Sequence, residues 1–419
     1  MNKISTSKNG AENSRNPKQI LFVWNYLEWG GAQVLFFGLM KEAKKHAAVK
    51  AVMPAGSHPQ LLKFLDNLAV EQSFVEAHTD LKPAHTLKRK LARHWNKLYS
   101  EFALLKFLKK TDLPSAVVHT ELAPWQSMLA LLWLCRRTAV FVTMHNSIPP
   151  AAKWRFALWK LKFSMLAKSK NFNLFTANHD TKKSLQPLVS KEFLETVRVI
   201  YANVNPEEIE AVRTARINRG EFLKKYRLPE DKFLVFCVGQ FIDRKGRWIF
   251  LEAARKLAAE CDDIAFVWIS NYKPDAPELQ KAESYGLGEN FRFLSSDEVG
   301  AEHIDLFKLL RLADVFALPS YLEGLPISII EAMALGIPTI STNINAIPEA
   351  IIDGETGLLI EPGDSDALKE AIKILKTDVN LREKLAARGC KYALGKFDEQ
   401  TVAKIAVESY IEAYRRSKK

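Results

Sequence analysis

Short apolar runs alternate with helix-forming segments along most of the chain, and this alternation restricts the fold more than any other feature. In the first half, apolar runs that predict strands occupy residues 19–24, 49–53, 116–120, 139–144 and 174–177. In the second half they occupy residues 233–238, 264–269, 291–294, 314–318, 338–341 and 357–360. Apolar strands separated by helices form parallel sheets covered by helices on both faces. The sequence therefore predicts two successive doubly wound α/β domains, with a ligand crevice at the carboxyl ends of the strands and between the domains.

The boundary between these domains is predicted near residue 205. The chain has 419 residues, a length that suits two domains. Residues 197–205, followed by Pro206, predict a strand that continues into an interdomain linker. We expect a disordered polar tail over 1–18, a first domain over 19–204, a second domain over 205–397 and a final amphipathic helix within 398–419.

Positive charge is concentrated in the first predicted domain. The chain carries a formal net charge of +12. Residues 1–200 hold 30 Lys and Arg against 13 Asp and Glu, whereas residues 201–419 hold 30 against 35. This asymmetry predicts an anionic ligand or surface for the first domain.

Two basic segments of that domain indicate what such a surface is. Residues 82–110 hold nine basic residues and one acidic residue, Glu101. Residues 151–170 hold six basic residues and no acidic one, interleaved with the aromatic residues Trp154, Phe156, Trp159 and Phe163. Basic helices with aromatic side chains favour an anionic membrane surface. The alternatives are nucleic-acid binding and a solvated helix whose aromatic side chains face the core.

Cysteine usage and hydropathy predict a cytoplasmic protein. The four cysteines lack Cys-x-x-Cys spacing and three lie in or beside apolar runs, which is typical of buried thiols in a reducing compartment and not of a zinc site. The first nineteen residues lack the apolar segment of a signal peptide. The longest apolar run, residues 128–135, is too short to cross a bilayer.

The most specific feature is a pair of carboxylates, Glu323 and Glu331, around the start of a predicted helix over 326–335. Gly324 and Pro326 precede or open this helix, and proline suits the first helical position. The free backbone N–H groups at a helix start attract anions. Carboxylates beside such a start suit a ligand that carries both phosphate and hydroxyl groups, and a nucleotide sugar is such a ligand.

Two glycine-containing loops are candidate phosphate sites. Residues 239–246 (Gly-Gln-Phe-Ile-Asp-Arg-Lys-Gly) follow the first strand of the second domain, where Lys245 and a helix start suit a pyrophosphate. A plain loop with a solvated lysine is the alternative. Gly30 and Gly31 follow the first strand of the chain and allow a ligand to approach the backbone, although they equally suit a bare turn. The absence of Gly-x-Gly-x-x-Gly argues against NAD.

Two further residues have competing interpretations. His145 ends a strand at the expected crevice, where it suits donation to a hydroxyl group, and a structural role is the alternative. In Asp-Ser-Asp (364–366), which precedes a helical segment, either Asp364 or Ser365 is interpreted as a helix N-cap, with no metal assigned.

With these residues in view, the chain resembles the GT4 family of retaining, nucleotide-sugar-dependent glycosyltransferases of GT-B fold. The resemblance rests on Glu-Gly-Leu-Pro (323–326), Glu-Ala-Met-Ala-Leu-Gly-Ile-Pro (331–338) and Asp-Gly-Glu-Thr-Gly-Leu-Leu-Ile (353–360), and is strongest over 231–375. It implies two Rossmann-like domains that face a central cleft. It also implies a last helix, with Phe397 at its start, that crosses back to pack on the first domain.

The resemblance also implies roles for individual residues. Glu323 contacts the donor sugar near the anomeric centre, Glu331 accepts hydrogen bonds from the ribose, and His145 lies near the transferred sugar. Lys245 matches the family's diphosphate lysine. The resemblance therefore assigns catalysis to Glu323, His145 and Lys245. The implied donor site comprises Gly30, Gly31, Gly239, Gln240, Arg244, Lys245, Glu323, Gly324, Leu325, Pro326 and Glu331.

Two positions depart from the family pattern. Gln240 stands where an arginine is usual, so that either Arg244 substitutes for it or the diphosphate is bound more weakly. Asn205 stands where the linker often has aspartate.

The function implied is transfer of a hexose from a UDP- or GDP-linked donor to a glycan or lipid-linked acceptor, without metal or other cofactor. Lipopolysaccharide, capsule or another surface polysaccharide is the expected product, made by an enzyme bound peripherally through 82–110 and 151–170 to the cytoplasmic face of the inner membrane. An epimerase of the same fold and a basic α/β nucleic-acid-binding protein are the alternatives.

Overall fold

The computed structural model describes residues 16–25, 27, 31–76, 87–271, 273–300 and 302–419. The chain divides into two compact units. Unit 1 comprises Met1–Tyr201 together with Gln400–Lys419, and unit 2 comprises Ala202–Glu399. Most of the expected polar tail, residue Gly30 and the first residues of the 82–110 segment lie outside the described residues.

Unit 1 contains a parallel seven-stranded sheet in the order β3-β2-β1-β4-β5-β6-β7. Its strands are β1 (Gln19–Val23), β2 (Ala48–Pro54), β3 (Glu71–Val75), β4 (Ala116–Thr120), β5 (Ala139–Met144), β6 (Phe172–Thr176) and β7 (Arg198–Val199). In the central strand β1, Ile20 is paired with Val49 of β2 and Val117 of β4. The order reverses direction at β1 and β4, which is the doubly wound arrangement predicted from the sequence.

Helices cover both faces of this sheet because successive residues of each strand point to opposite sides. The helices of the first 201 residues are α1 (Gly31–Ala43), α2 (Pro59–Asn67), α3 (Leu87–Leu108), α4 (Met128–Cys135), α5 (Lys153–Ala167), α6 (His179–Ser184) and α7 (Lys191–Thr196). Ile20 and Phe22 share a core with α1 and α2, whereas Leu21 and Val23 share one with α3, α4 and α5.

Unit 2 contains a parallel six-stranded sheet in the order β10-β9-β8-β11-β12-β13. Its strands are β8 (Phe233–Val238), β9 (Ile264–Ser270), β10 (Phe291–Ser295), β11 (Val315–Leu318), β12 (Thr339–Thr342) and β13 (Leu358–Ile360). Its helices are α8 (Pro206–Thr214), α9 (Arg219–Tyr226), α10 (Arg247–Ala258), α11 (Ala276–Glu283), α12 (Ser296–Val299), α13 (His303–Leu310), α14 (Ile327–Ala334), α15 (Ile347–Ala350), α16 (Ser365–Thr377) and α17 (Val379–Lys396).

The final helix, α18 (Glu399–Ser417), completes the core of unit 1. Its buried residues Val402, Ala406 and Tyr410 pack on the sheet face that also holds α1 and α2. The predicted return of this helix to the first domain is therefore observed.

A buried hydrogen-bond chain fixes α18 to the sheet. The Tyr410 hydroxyl lies 2.6 Å from Nδ1 of His119 in β4, and Nε2 of His119 lies 2.7 Å from the Thr143 hydroxyl in β5. Burial, reinforced by the charge of His145, lowers the pKa of His119 to about 3. The imidazole is therefore neutral, with one nitrogen as donor and the other as acceptor.

The structure corrects the predicted strand over 197–205 and adds two elements that were not predicted. The strand predicted over 197–205 shrinks to Arg198–Val199, and Asn205 instead caps α8 by accepting hydrogen bonds from the N–H groups of Glu207 and Glu208. The predicted linker thus leads directly into a helix. Helix α2 and the edge strand β3 had no counterpart in the prediction.

The four cysteines form no disulfide bond with one another. Cys135, Cys237 and Cys390 are buried, Cys261 is half-buried, and all four are free. No helix in the described part of the chain combines the length and apolarity needed to cross a bilayer.

The contact between α18 and β4 yields a stability prediction. Replacing Tyr410 with Phe removes the hydroxyl and leaves His119 Nδ1 buried without its partner, which costs about 1–3 kcal/mol. We expect the free energy of unfolding, measured in urea, to fall by this amount. Lys404→Ala, at an exposed position of the same helix, is the control and should change it little. Equal stability of Tyr410→Phe and the unaltered protein would show that the hydrogen bond does not anchor the helix.

Candidate active site

The loop between β11 and α14 holds Glu323 in a buried position. One carboxylate oxygen, Oε1, lies 2.6 Å from Lys245 Nζ and accepts a hydrogen bond of 2.7 Å from the Ser320 hydroxyl. The other oxygen lies 3.5 Å from the Arg244 guanidinium. Lys245 and Arg244, which were predicted to bind phosphate, thus contact Glu323, which was predicted to face the sugar.

Lys245 comes from the loop after β8, which presses against the Glu323 loop. The Tyr321 N–H donates to the Arg244 carbonyl at 2.8 Å. Gly246 adopts a positive φ of 74°, and a Cβ there would lie 1.8 Å from the Pro319 carbonyl oxygen. Only glycine allows this approach, so Gly246 sets the spacing between the two loops.

The remaining residues of the 239–246 loop surround this ion pair unequally. A Cβ on Gly239 would lie 3.6 Å from the Lys245 side chain, so the lysine stem runs alongside this glycine. Gln240 is exposed, and its carbonyl accepts from the Ile242 N–H. Arg244 also donates to the Leu322 carbonyl at 3.0 Å, which places its guanidinium beside Glu323.

Helix α14 begins at Ile327, and Pro326 is its N-cap. The prediction that Pro326 is the first helical residue was therefore wrong by one position. Leu325 is buried and Gly324 is half-buried. The first N–H groups of a helix have no acceptor within it, so the start of α14 offers donors next to Glu323.

Glu331 lies buried in the middle of α14 and has its own cationic partner. Its Oε1 lies 2.9 Å from Nε2 of His303, the first residue of α13, whose Nδ1 lies 3.8 Å from Glu208 of α8. Burial works against a charge on this imidazole, but the two carboxylates overcome it and raise the pKa of His303 to about 10. His303 is therefore an imidazolium at neutral pH. Sequence reasoning missed it, because nothing at position 303 indicates a partner 28 residues later.

Unit 1 places a second His–Glu pair at the carboxyl edge of its sheet. His145 follows β5 and Glu121 follows the neighbouring parallel strand β4, with Nε2 and Oε1 2.8 Å apart. Glu121 had not been identified from the sequence, although its place directly after a strand was the available signal. Gly31 begins α1.

The described residues hold no group of three or more His, Cys, Asp and Glu able to bind a metal ion. The Asp364 carboxylate accepts hydrogen bonds from the N–H groups of Asp366 and Ala367, at 3.0 and 2.8 Å. Of the two residues predicted as the N-cap, Asp364 is the cap and Ser365 is the first residue of α16.

The segment that contains Lys245, Glu323 and Glu331 is similar to a known protein family. Residues 218–392, in unit 2, match the family described as glycosyl transferases group 1. The lipopolysaccharide core biosynthesis glycosyltransferase LpsE of Rhizobium meliloti is 29% identical over 175 residues, 42% of this chain and 48% of that protein. The phosphatidyl-myo-inositol mannosyltransferase of Mycobacterium leprae is 32% identical over 180 residues, 42% of this chain and 46% of that protein. The chain thus aligns with about half the length of these curated relatives.

Solved structures match nearly the whole chain. A glycosyltransferase from Rickettsia africae superposes with a TM-score of 0.74 at 18% identity, covering 95% of this chain and 99% of that one. Anabaena HepE in complex with UDP gives a TM-score of 0.72 at 16% identity, covering 93% and 99%. The predicted fold class, two Rossmann-like α/β domains of the GT-B type, is confirmed.

The His303–Glu331 pair yields a prediction on pH. A folded-state pKa of about 10 lies above the unfolded value of about 6.5, so the protonated imidazole stabilises the fold. This contribution is complete below pH about 6.5 and is lost as the pH rises towards about 10. We expect the unaltered protein to be more stable than His303→Gln at pH 6, and the difference in free energy of unfolding to shrink steadily up to pH 10.

Denaturant titrations at several pH values measure this difference. His94→Gln, at an exposed histidine of α3, controls for the loss of an imidazole. A difference that stays constant from pH 6 to pH 10 would contradict a charged His303–Glu331 pair.

Proposed function

We propose that this chain is a metal-independent, retaining glycosyltransferase that transfers a hexose from a UDP- or GDP-linked donor to a glycan or lipid-linked acceptor. The observation that carries the proposal is the joining of Lys245, Arg244 and Glu323 at the start of α14, inside the segment that matches the group 1 family. The relatives' names support a role in surface glycans, since they include enzymes of lipopolysaccharide and capsular polysaccharide biosynthesis. The epimerase and nucleic-acid alternatives receive no such support.

Lys245 and Arg244 are the proposed diphosphate ligands. A leaving group that departs as a nucleoside diphosphate develops negative charge, and prealigned cations and helix N–H groups stabilise it. In this proposal Arg244 takes the place of the arginine that is usual at the position of Gln240. Its support is that Arg244 and Lys245 contact the same carboxylate, Glu323, and therefore lie close together. Gly239 lies beside the lysine stem, which a Cβ there would meet at 3.6 Å.

Glu323 and Glu331 take different parts of the donor in this proposal. Glu323, with the backbone of Gly324, Leu325 and Pro326, faces the sugar near its anomeric carbon. Glu331 accepts hydrogen bonds from the ribose hydroxyl groups, and His303 orients it from the side opposite the ligand. His145, oriented by Glu121, donates to a sugar hydroxyl, and Gly30 and Gly31 form the remaining part of the donor site.

The reaction that follows is a substitution on one face of the sugar. The bond from the anomeric carbon to the diphosphate oxygen breaks, and a bond to the acceptor hydroxyl oxygen forms. The acceptor's proton passes to the departing diphosphate, so that the products are a glycoside and UDP or GDP. The carboxylates do not act as a glycosidase acid and base pair.

The test is incubation with UDP-glucose, UDP-N-acetylglucosamine, UDP-galactose and GDP-mannose, with thermal shift and slow release of the nucleoside diphosphate as readouts. We expect one donor to raise the melting temperature and to be hydrolysed slowly, with no change on adding a chelator. No response to any nucleotide sugar, together with tight binding of RNA or DNA, would refute the proposal.

Lys245 gives a sharper version of the test. Its replacement with Ala removes a charge-assisted contact worth about 1.5–3 kcal/mol, so the affinity for the nucleoside diphosphate should fall about 10- to 100-fold in calorimetric titration. Lys373→Ala removes a lysine paired with Glu260 elsewhere on unit 2 and is the matched control. Unchanged affinity in Lys245→Ala would show that the diphosphate binds elsewhere.

A further inference from the structure

Helices α3 and α5 of unit 1 lie on the same side of the sheet and are joined by the segment between β4 and α4. Lys97 of α3 donates to the Gln126 side chain at 2.7 Å, and Lys162 of α5 donates to the Trp125 carbonyl at 2.8 Å. Both helices bury residues in the same core, including Leu104 of α3. Their outward sides therefore belong to one surface of unit 1.

Helix α5 carries two apolar stripes on opposite sides. The stripe that packs into the core consists of Phe156, Trp159, Phe163 and Leu166. The other stripe is exposed and consists of Trp154, Leu158, Leu161 and Met165. At about 100° per residue, the four exposed positions fall within roughly 60° of one another and opposite the buried ones. Trp154 is 70% and Leu161 58% exposed. An amphipathic helix that only covers a core has no need of this second stripe.

Helix α3 repeats the same spacing on its outward side. Leu91, Trp95, Leu98 and Phe102 occur at intervals of four, three and four residues, as do the exposed residues of α5. Trp95 is 68% and Phe102 65% exposed. Leu129 of α4, on the same side of the sheet, is 76% exposed. A surface with this many large apolar side chains marks an interaction site.

Cations border the stripe of α5 on both sides. At the same angular spacing, Arg155 and Lys162 lie to one side of it, and Lys153 and Lys160 lie to the other. The one acidic residue in the sequences of α3 and α5 is Glu101. It is buried, accepts a hydrogen bond from the Ser127 hydroxyl and lies 3.6 Å from the Lys97 ammonium, so among the cations of these helices it offsets Lys97.

We propose that the exposed stripes of α3 and α5 form a docking face for an anionic lipid bilayer. Large apolar side chains enter the boundary between headgroups and acyl chains, and lysine and arginine side chains reach the phosphates beside them. A second copy of the chain would bring two cationic faces together, which repel each other. Nucleic acid would pair with the cations but leave Leu158, Leu161 and Met165 in water. The proposal does not depend on glycosyl transfer.

The docking face also adjoins the carboxyl edge of the sheet in unit 1. Trp154 lies in the first turn of α5, nine residues after His145, which follows β5. A bilayer bound to this face therefore lies next to the edge that holds the His145–Glu121 pair. If the proposed function is correct, an acceptor with a lipid anchor can reach that edge without leaving the bilayer.

Co-sedimentation of the full chain with vesicles tests the proposal. We expect binding to vesicles of equal parts phosphatidylglycerol and phosphatidylcholine, and little binding to phosphatidylcholine alone. The double variant Leu158→Glu, Leu161→Glu should lower the partition coefficient at least about tenfold, since it places charge where apolar side chains insert. Leu279→Glu with Ile374→Glu introduces the same charges at exposed apolar positions of unit 2 and should bind as the unaltered chain does.

Four results would contradict the docking face. The first is failure of the unaltered chain to sediment with anionic vesicles at low ionic strength. The second is unchanged binding of the Leu158, Leu161 double variant, which would reduce the face to a general attraction for anions. The third is a dimer in analytical ultracentrifugation that this variant dissociates, which would assign the stripes to a second copy. Trp154→Ala, which adds no charge, should weaken vesicle binding in the same direction, and equal binding would count against the proposal.

Discussion

The architecture depends on one constraint: the core of unit 1 is not complete until the chain returns to it. Among the described residues, the part of unit 1 before Tyr201 supplies seven strands and seven α-helices, but α18 covers one sheet face. Tyr410 of this helix is hydrogen-bonded to His119 in the central strand β4. The other nitrogen of the neutral imidazole is hydrogen-bonded to Thr143 in β5. Unit 2 is therefore an insertion between two parts of unit 1, and α18 is part of the core of unit 1.

Polar contacts to buried or partly buried carboxylates organise both units: ion pairs in unit 2 and a His–Glu hydrogen bond in unit 1. Glu323 is held by Lys245 and Arg244, Glu331 by His303, and Glu121 lies against His145. Each pair joins residues more than twenty positions apart. Parallel strands bring together the loops of Lys245 and Glu323 and those of His145 and Glu121, whereas His303 and Glu331 lie on two helices. A buried carboxylate without such a partner would be strongly destabilised, so these pairs fix side-chain positions as well as charge.

The sequence predicted well what depends on local pattern and poorly what depends on neighbours. Apolar runs located most strands, but β3 reads Glu-Gln-Ser-Phe-Val and, as a partly exposed edge strand, lacks that signal. Glu323 and Lys245 could be found because motif and spacing mark them. His303 and Glu121 could not, since only the packing of α13 on α14 and the pairing of β4 with β5 make them partners. On α5, aromatic content alone could not separate the buried Trp159 from the exposed Trp154.

The ion pair between Lys245 and Glu323 means that the candidate phosphate site already contains an anion of its own. A diphosphate that binds Lys245 must displace the Glu323 carboxylate or share the lysine with it, because the lysine is already paired. Small anions that are abundant in a cell, such as inorganic phosphate, gain little from this exchange because one negative group merely substitutes for another. A ligand that also engages the start of α14 and Glu331 gains contacts that such ions lack. If the proposed donor site is correct, the Glu323 carboxylate therefore favours ligands that make these additional contacts over small anions.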